Sequence, residues 1–304
     1  MQTDRPLALA LVVFCVGACL LAPAAGADGT FDAPTSAVIG GAPGVVFVQF
    51  DGIFSGRTST GAYRVPYRIT IPAPPARTNG TVVVEPPHFA LGLGALEQLL
   101  GLRFLLSRGF AHAGIGWSTA SFGDGLDLRI LDPGADRVFV DGGVADGNGR
   151  TDDEIVVDFA RSLTRDGHAR AMLGRVDRRY LTGFSDSSGP VLRLVASGRA
   201  NEVFDFVLPV VAEGHESRSA LAAGRYLGKV IVVDSEVEAA AAEVVDNGVP
   251  GSRSRSYAVA GTAHMPDFLG FPSFTTMSTP ASFEPELRAH FLHGHRWVVD
   301  RKAP

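Results

Sequence analysis

The serine in the stretch GFSDS (183–187) stands where a hydrolytic nucleophile could stand. The residues two before and two after Ser185 are small, an apolar run at 178–184 precedes it, and a helical pattern follows. A nucleophile on a sharp strand-to-helix turn needs small flanking residues because the strand and the helix nearly touch there. Ser187 and Ser188 are rival nucleophiles, but neither has small neighbours at both flanking positions with a strand directly behind it.

Two acidic residues and a histidine that could activate this serine also follow predicted strands. Glu236 and Glu238 come after the apolar run at 228–235, and His264 ends the run at 257–264. A serine hydroxyl is a poor nucleophile at neutral pH and needs a base within hydrogen-bonding reach. A histidine can be that base when an acid orients its other ring nitrogen and stabilises its charged form. The order serine, acid, histidine along the chain is the order that α/β-hydrolase triads have.

The residue after the serine supplies a group that could stabilise negative charge. The backbone amide of Asp186 would point at the oxyanion from the N-terminus of a helix, where the helix dipole favours negative charge. Pro190 falls in the first turn of that helix, where a missing N–H costs little. The pattern therefore predicts an oxyanion-binding amide beside the nucleophile.

Apolar runs and helical patterns alternate along the chain, which places these residues in a fold. The patterns predict strands at 45–52, 63–72, 81–87, 110–118, 178–184, 204–211, 228–235 and 257–264, and helices at 91–107, 151–167, 186–198, 238–248 and 285–295. Pro66 favours a sheet edge for the second strand, because proline cannot donate to a ladder. The alternation predicts an α/β fold with a doubly wound, mostly parallel sheet. Active residues in such sheets gather at the carboxyl ends of the strands.

The composition describes a folded globular protein with a substantial core. Hydrophobic residues make up 46% of the 304 residues and charged residues 19%. The formal net charge is −5 and the isoelectric point is about 5.9. Because the chain has no basic excess, neither nucleic acid nor an anionic membrane surface is expected as its main partner.

The first 27 residues have the anatomy of a secretory signal peptide. Arg5 precedes an apolar core, and the small residues Ala25-Gly26-Ala27 form the expected cleavage box, so 28–304 is expected to be the mature catalytic domain. The alternative is a retained membrane anchor, but the apolar run is short for a membrane span. Both cysteines, Cys15 and Cys19, lie in this segment. Residues 16–19 resemble a bacterial lipobox, so the alternative to a secreted or periplasmic protein is lipid anchoring at Cys19.

Several motifs together resemble those of a bacterial α/β-hydrolase domain family of exported, esterase-like proteins. The motifs are LTGFSDSSGPVLRL (181–194), VIVVDSEVE (230–238) and YAVAGTAHMPD (257–267), with VEPPHF (84–89) and LLSRGFAHAGIGW (105–117). Proteins of that family carry Gly-Phe-Ser-Gln-Ser-Gly, then Glu-x-Glu or Glu-x-Asp after a late strand, and Ala-Gly-Thr-x-His. The likeness covers about 45–295. The chain departs from the family at Asp186 and in a short insert before the last strands, which suggests a small lid.

The resemblance implies an α/β-hydrolase sheet and a role for each candidate residue. Because the family allows aspartate at the second acidic place, Glu238 is the expected triad acid and Glu236 the alternative. The second oxyanion donor is expected after TVVVE (81–85), where two prolines lack an N–H, so His88 or Phe89 must supply it.

The expected reaction is cleavage of a carboxylic ester through an acyl-enzyme. No cofactor or metal is required, and the expected partner is a small ester. An aspartate beside the nucleophile disfavours anionic substrates, so neutral esters are expected. The alternatives are an acyltransferase or a peptidase with the same triad, or a binding protein that kept the hydrolase fold and lost turnover.

Overall fold

The computed structural model describes residues 29–42, 45–59, 61–73, 78–88, 99–116, 150–212, 219–240, 252–266 and 278–304. The predicted signal peptide with Cys15 and Cys19 and the residue Phe89 lie outside these ranges. None of the helices in the described ranges has both the length and the apolar character that a membrane crossing requires.

Twelve strands lie in the described ranges, and ten of them form one mixed sheet. The strands are β1 (Thr30–Phe31), β2 (Ser36–Ala42), β3 (Val45–Arg57), β4 (Ala62–Pro72), β5 (Thr81–Glu85), β6 (Ala111–Ile115), β7 (Arg178–Phe184), β8 (Phe206–Val210), β9 (Lys229–Ser235), β10 (Ser254–Val259), β11 (Met265–Pro266) and β12 (Ser278–Thr279). The order across the large sheet is β1-β3-β4-β6-β5-β7-β8-β9-β10, with β2 also paired to β3. The strands from β6 to β10 in this order are parallel, whereas β1 to β4 pair antiparallel. The predicted α/β sheet, doubly wound and mostly parallel, is confirmed.

Helices cover both faces of this sheet. They are α1 (Leu102–Leu106), α2 (Arg150–Arg165), α3 (Gly167–Leu173), α4 (Ser188–Ser197), α5 (Glu236–Ala240) and α6 (Glu284–Val299). The side chains of α2, α3 and α4 share a buried cluster with Val82 and Val84, whereas those of α1 and α6 share a second cluster with Val83. Successive residues of a strand point to opposite faces. The unbroken apolar run of β5 is therefore explained by helices on both sides.

Pro66 is not at a sheet edge, so that prediction is wrong. Its strand, β4, lies between β3 and β6. The ladder between β4 and β6 begins one residue later, at Tyr67, and the carbonyl of Pro66 accepts a hydrogen bond of 2.8 Å from Gly116 N. The missing N–H therefore falls just beyond the end of the β4–β6 ladder, where its loss removes no interior hydrogen bond.

Candidate active site

Ser185 lies at the carboxyl end of β7, on a sharp turn into α4. The strand ends at Phe184, a single 3₁₀ turn covers Ser185–Ser187, and α4 begins at Ser188. The backbone φ of Ser185 is +50°. This conformation is uncommon for a residue with a side chain, and it persists only where the surroundings impose it.

The small residues around Ser185 are required by the close approach of strand and helix. A Cβ placed on Gly183 would lie 2.4 Å from the carbonyl oxygen of Ser187, which no folded backbone tolerates. The Ser187 hydroxyl accepts a hydrogen bond from Phe184 N at 2.9 Å and lies 3.0 Å from Phe184 O. Ser187 therefore ties the helix start back to the strand end.

The two rival serines, Ser187 and Ser188, are buried and their hydroxyls form hydrogen bonds within this turn. Ser187 is 0% and Ser188 1% exposed, and the Ser188 hydroxyl donates to Ser185 O at 2.6 Å. Ser185 is partly exposed instead. Of the three neighbouring hydroxyls, the one on Ser185 is placed to meet a substrate.

His264 lies beside this hydroxyl. Its Nε2 is 2.8 Å from Ser185 Oγ, and its Nδ1 is 2.6 Å from Glu238 Oε1. When Nδ1–H donates to the carboxylate, Nε2 has a free lone pair that can accept the serine proton. The predicted strand 257–264 is shorter than expected, since β10 ends at Val259 and a turn carries the histidine.

Glu238 is held as a carboxylate by its partners. It lies in the first turn of α5, and its Oε2 accepts a hydrogen bond from Ser235 Oγ while Oε1 faces His264. Burial alone would raise the pKa of Glu238, but the hydrogen bonds from His264 and Ser235 outweigh it and lower that pKa. The group facing the histidine is therefore an anion at neutral pH.

Glu236, the alternative acid, binds elsewhere. Its Oε2 accepts a hydrogen bond from the backbone N–H of Gly261. The two glutamates of one helical turn thus contact the turn that carries His264 at two different points.

Asp186 and His88, two of the three predicted oxyanion donors, lie in the described ranges. The backbone of Asp186 is in the 3₁₀ turn and its side chain is exposed. Partial burial raises the pKa of the Asp186 carboxyl, and the charge of Arg193 opposes this. His88 is 2% exposed, with its ring centroid 5.5 Å from that of Phe184. Burial, and then the charge of His264, lower the pKa of His88 to about 4, so its ring is neutral at pH 7.

Two features of the site region were not predicted from the sequence. The first is the hydrogen bond from Ser235 to Glu238. The second is a pair at the end of β5, where His112 Nε2 lies 2.7 Å from Glu85 Oε2 and both side chains are fully buried. The glutamate in the apolar run VVVEPP could have predicted this pair, because a buried carboxylate requires a polar partner. Within the described ranges, no group of three or more histidine, cysteine and acidic residues could hold a metal ion.

Known proteins match this chain both in a family model and in overall fold. A family model described as "Alpha/beta hydrolase domain" matches residues 51–304. A Klebsiella pneumoniae protein assigned as a dienelactone hydrolase is 11% identical, with a TM-score of 0.52 over 80% of this chain and 97% of that chain. An esterase of Rhizomucor miehei is 8% identical, with a TM-score of 0.50 over 84% of this chain and 85% of that chain. A comparison with curated protein sequences finds no match.

Proposed function

The chain belongs to the alpha/beta hydrolase domain family, and from that premise we propose that it is an exported serine hydrolase that cleaves carboxylic esters through an acyl-enzyme. The observation that carries the proposal is the chain of two hydrogen bonds from Ser185 Oγ through the His264 ring to Glu238, with donor–acceptor distances of 2.8 and 2.6 Å. Both distances lie in the range that proton transfer requires.

In the first half of the reaction, Ser185 Oγ attacks the ester carbonyl carbon while its proton passes to His264 Nε2. Glu238 stabilises the imidazolium that forms. The tetrahedral intermediate then collapses, the alcohol leaves with the proton from His264, and an acyl-serine remains.

In the second half, His264 takes a proton from water, and the resulting hydroxide attacks the acyl carbon. Collapse of the second tetrahedral intermediate releases the carboxylic acid and returns the proton to Ser185. The backbone N–H of Asp186, with one from His88 or Phe89, is proposed to hold the oxyanion in both halves. None of these steps needs a cofactor.

Neutral esters are the proposed substrates. Asp186 directly follows the nucleophile in the chain and is an exposed residue, and we propose that its negative charge repels an anionic group brought to the scissile bond. A preference of the wild-type protein for acyl groups that carry a carboxylate would contradict this proposal.

Export is proposed from the sequence of residues 1–27, with 28–304 as the catalytic domain. Mass spectrometry of the mature protein from its native host tests the processing site. A first residue at Asp28 supports free secretion or a periplasmic location. A lipid-modified Cys19 at the N-terminus supports anchoring at the cell envelope instead.

Product analysis tests the reaction class. The mature protein is incubated with p-nitrophenyl acetate and longer neutral esters, with and without a competing alcohol, and in parallel with a peptide panel. Free acid as the main product, lost in Ser185→Ala, supports ester hydrolysis. Transfer to the alcohol would support an acyltransferase, peptide cleavage a peptidase, and no turnover of any substrate by the folded protein a binding role.

A further inference from the structure

The turn that carries His264 is fixed by contacts other than those on its ring. We name residues 260–264 the histidine loop; it begins where β10 ends at Val259. Gly261 has a φ of +74°, a left-handed conformation that favours glycine. The hydroxyl of Thr262 donates to Val259 O at 2.6 Å, and the N–H of Gly261 donates to the Glu236 carboxylate.

Glu236 and Glu238 divide two tasks within one turn of α5. Residues two apart on a helix do not face each other, so the two carboxylates leave the helix in different directions. Glu238 reaches the ring of His264, whereas Glu236 reaches the backbone of the histidine loop three residues earlier. The ring and the loop are therefore both hydrogen-bonded to the same segment, the start of α5 directly after β9.

We propose that Glu236 is a positioning residue that holds His264 in register with Ser185 through the Gly261 N–H. The inference rests on the proposed hydrolase function and deepens it. The hydrogen bond needs only an acceptor oxygen on residue 236, and the carboxylate charge adds to its strength. The distance between Ser185 Oγ and His264 Nε2 is 2.8 Å, and a displacement of about 1 Å takes the pair out of the range for proton transfer.

Kinetics of three variants separate a positioning role from a merely structural one. In Glu236→Ala the loop loses its acceptor, and kcat is expected to fall about tenfold, equivalent to about 1.4 kcal/mol, with KM within about twofold of wild type. Glu236→Gln keeps an acceptor oxygen and should restore most of kcat. Glu286→Ala, which removes an exposed glutamate from the first turn of α6, serves as the matched control and should match wild type.

Hydrogen exchange measures the contact itself. The Gly261 amide should exchange at least about tenfold faster in Glu236→Ala than in wild type, and Glu286→Ala should leave its rate unchanged. Glu236 is exposed, so the fold should survive these changes, which circular dichroism checks. Unchanged exchange or unchanged kcat in Glu236→Ala would overturn the inference. Loss of kcat in Glu236→Gln as large as in Glu236→Ala would overturn it too, since charge rather than the acceptor would then matter.

The two proposals fail differently. If the wild-type protein hydrolyses no ester and Ser185 is not labelled by a serine-reactive probe, the proposed function fails whatever the exchange data show. If the wild type is active and Glu236→Ala is equally active, the function stands and the positioning role of Glu236 fails.

Discussion

Replacing Gly183 with alanine should damage both the stability and the activity of the protein. The added Cβ would lie 2.4 Å from Ser187 O, 2.7 Å from Ser187 C and 3.0 Å from Ser188 N. All three atoms are backbone, so no side-chain rotation relieves the clash. The Ser187 carbonyl must move by at least about 0.6 Å to reach a 3.0 Å contact.

The size of both effects follows from this displacement. Overpacking a filled site costs about 1–3 kcal/mol, and this site is at the upper end because strand and helix must separate. The start of α4 carries the Asp186 amide and sets the position of Ser185. A shift approaching 1 Å at a nucleophile reduces the rate by about 100-fold. We therefore expect a loss of about 3 kcal/mol in unfolding free energy and a fall of about 100-fold in kcat/KM.

Urea unfolding and ester hydrolysis measure the two effects, with Gly167→Ala as the matched control. A Cβ on Gly167 meets no atom within 4 Å, and this residue begins α3. The control should equal wild type in activity and be as stable, or up to about 1 kcal/mol more stable. If Gly183→Ala were as stable and as active as Gly167→Ala, close packing would be refuted as the reason for the small residues at the turn from β7 into α4.

Three further outcomes are expected. Glu238→Gln should lower kcat by about 10³-fold or more, because a neutral amide stabilises the imidazolium less and can hold the wrong tautomer; a loss under tenfold would remove Glu238 from the triad. For Asp186→Asn we compare kcat/KM for an ester with a carboxylate in its acyl group with kcat/KM for a neutral ester of equal size. The ratio of the first to the second should be higher in the variant than in wild type, and an unchanged ratio would contradict the proposed repulsion. The third outcome concerns His88, whose pKa is lowered by burial from 6.5 to about 4. Below about pH 6.5 the unfolded chain takes up a proton on His88 that the buried ring of the folded protein does not accept. The unfolding free energy therefore falls by about 3 kcal/mol as the pH falls from 6.5 toward 4. Urea unfolding measures the unfolding free energy at pH 7 and at pH 4. The decrease between the two pH values should be about 3 kcal/mol smaller in His88→Gln than in wild type, and equal decreases would refute this.

Local sequence patterns predicted the strand ends and the turn at Ser185 because these features depend on neighbouring residues. The strand predicted at 178–184 matches β7 in both bounds, and the one predicted at 228–235 matches β9 except that β9 begins one residue later, at Lys229. Small residues around Ser185 predicted a close approach of strand and helix, which the space around Gly183 now explains. The fold class and the family followed from the alternation of elements and from the motifs, and both are confirmed.

Features that depend on chain pairing or on the path of a loop could not be predicted in this way. Pro66 suggested an edge strand, but whether a proline removes an interior hydrogen bond depends on where the neighbouring ladder ends. The residues alone did not separate Glu236 from Glu238, because both lie in the same helical turn. The path of the histidine loop separates them, since it presents a backbone N–H to one and a ring nitrogen to the other.

Covalent labelling tests the activated serine most directly. The mature protein and its Ser185→Ala variant are treated with a fluorophosphonate, and the adduct is located by mass spectrometry. The expected result is one adduct on Ser185 in the wild type, slowed strongly in Glu238→Gln and absent in Ser185→Ala. An adduct on Ser187 or Ser188, or no adduct in a folded protein, would contradict the proposed hydrolytic centre.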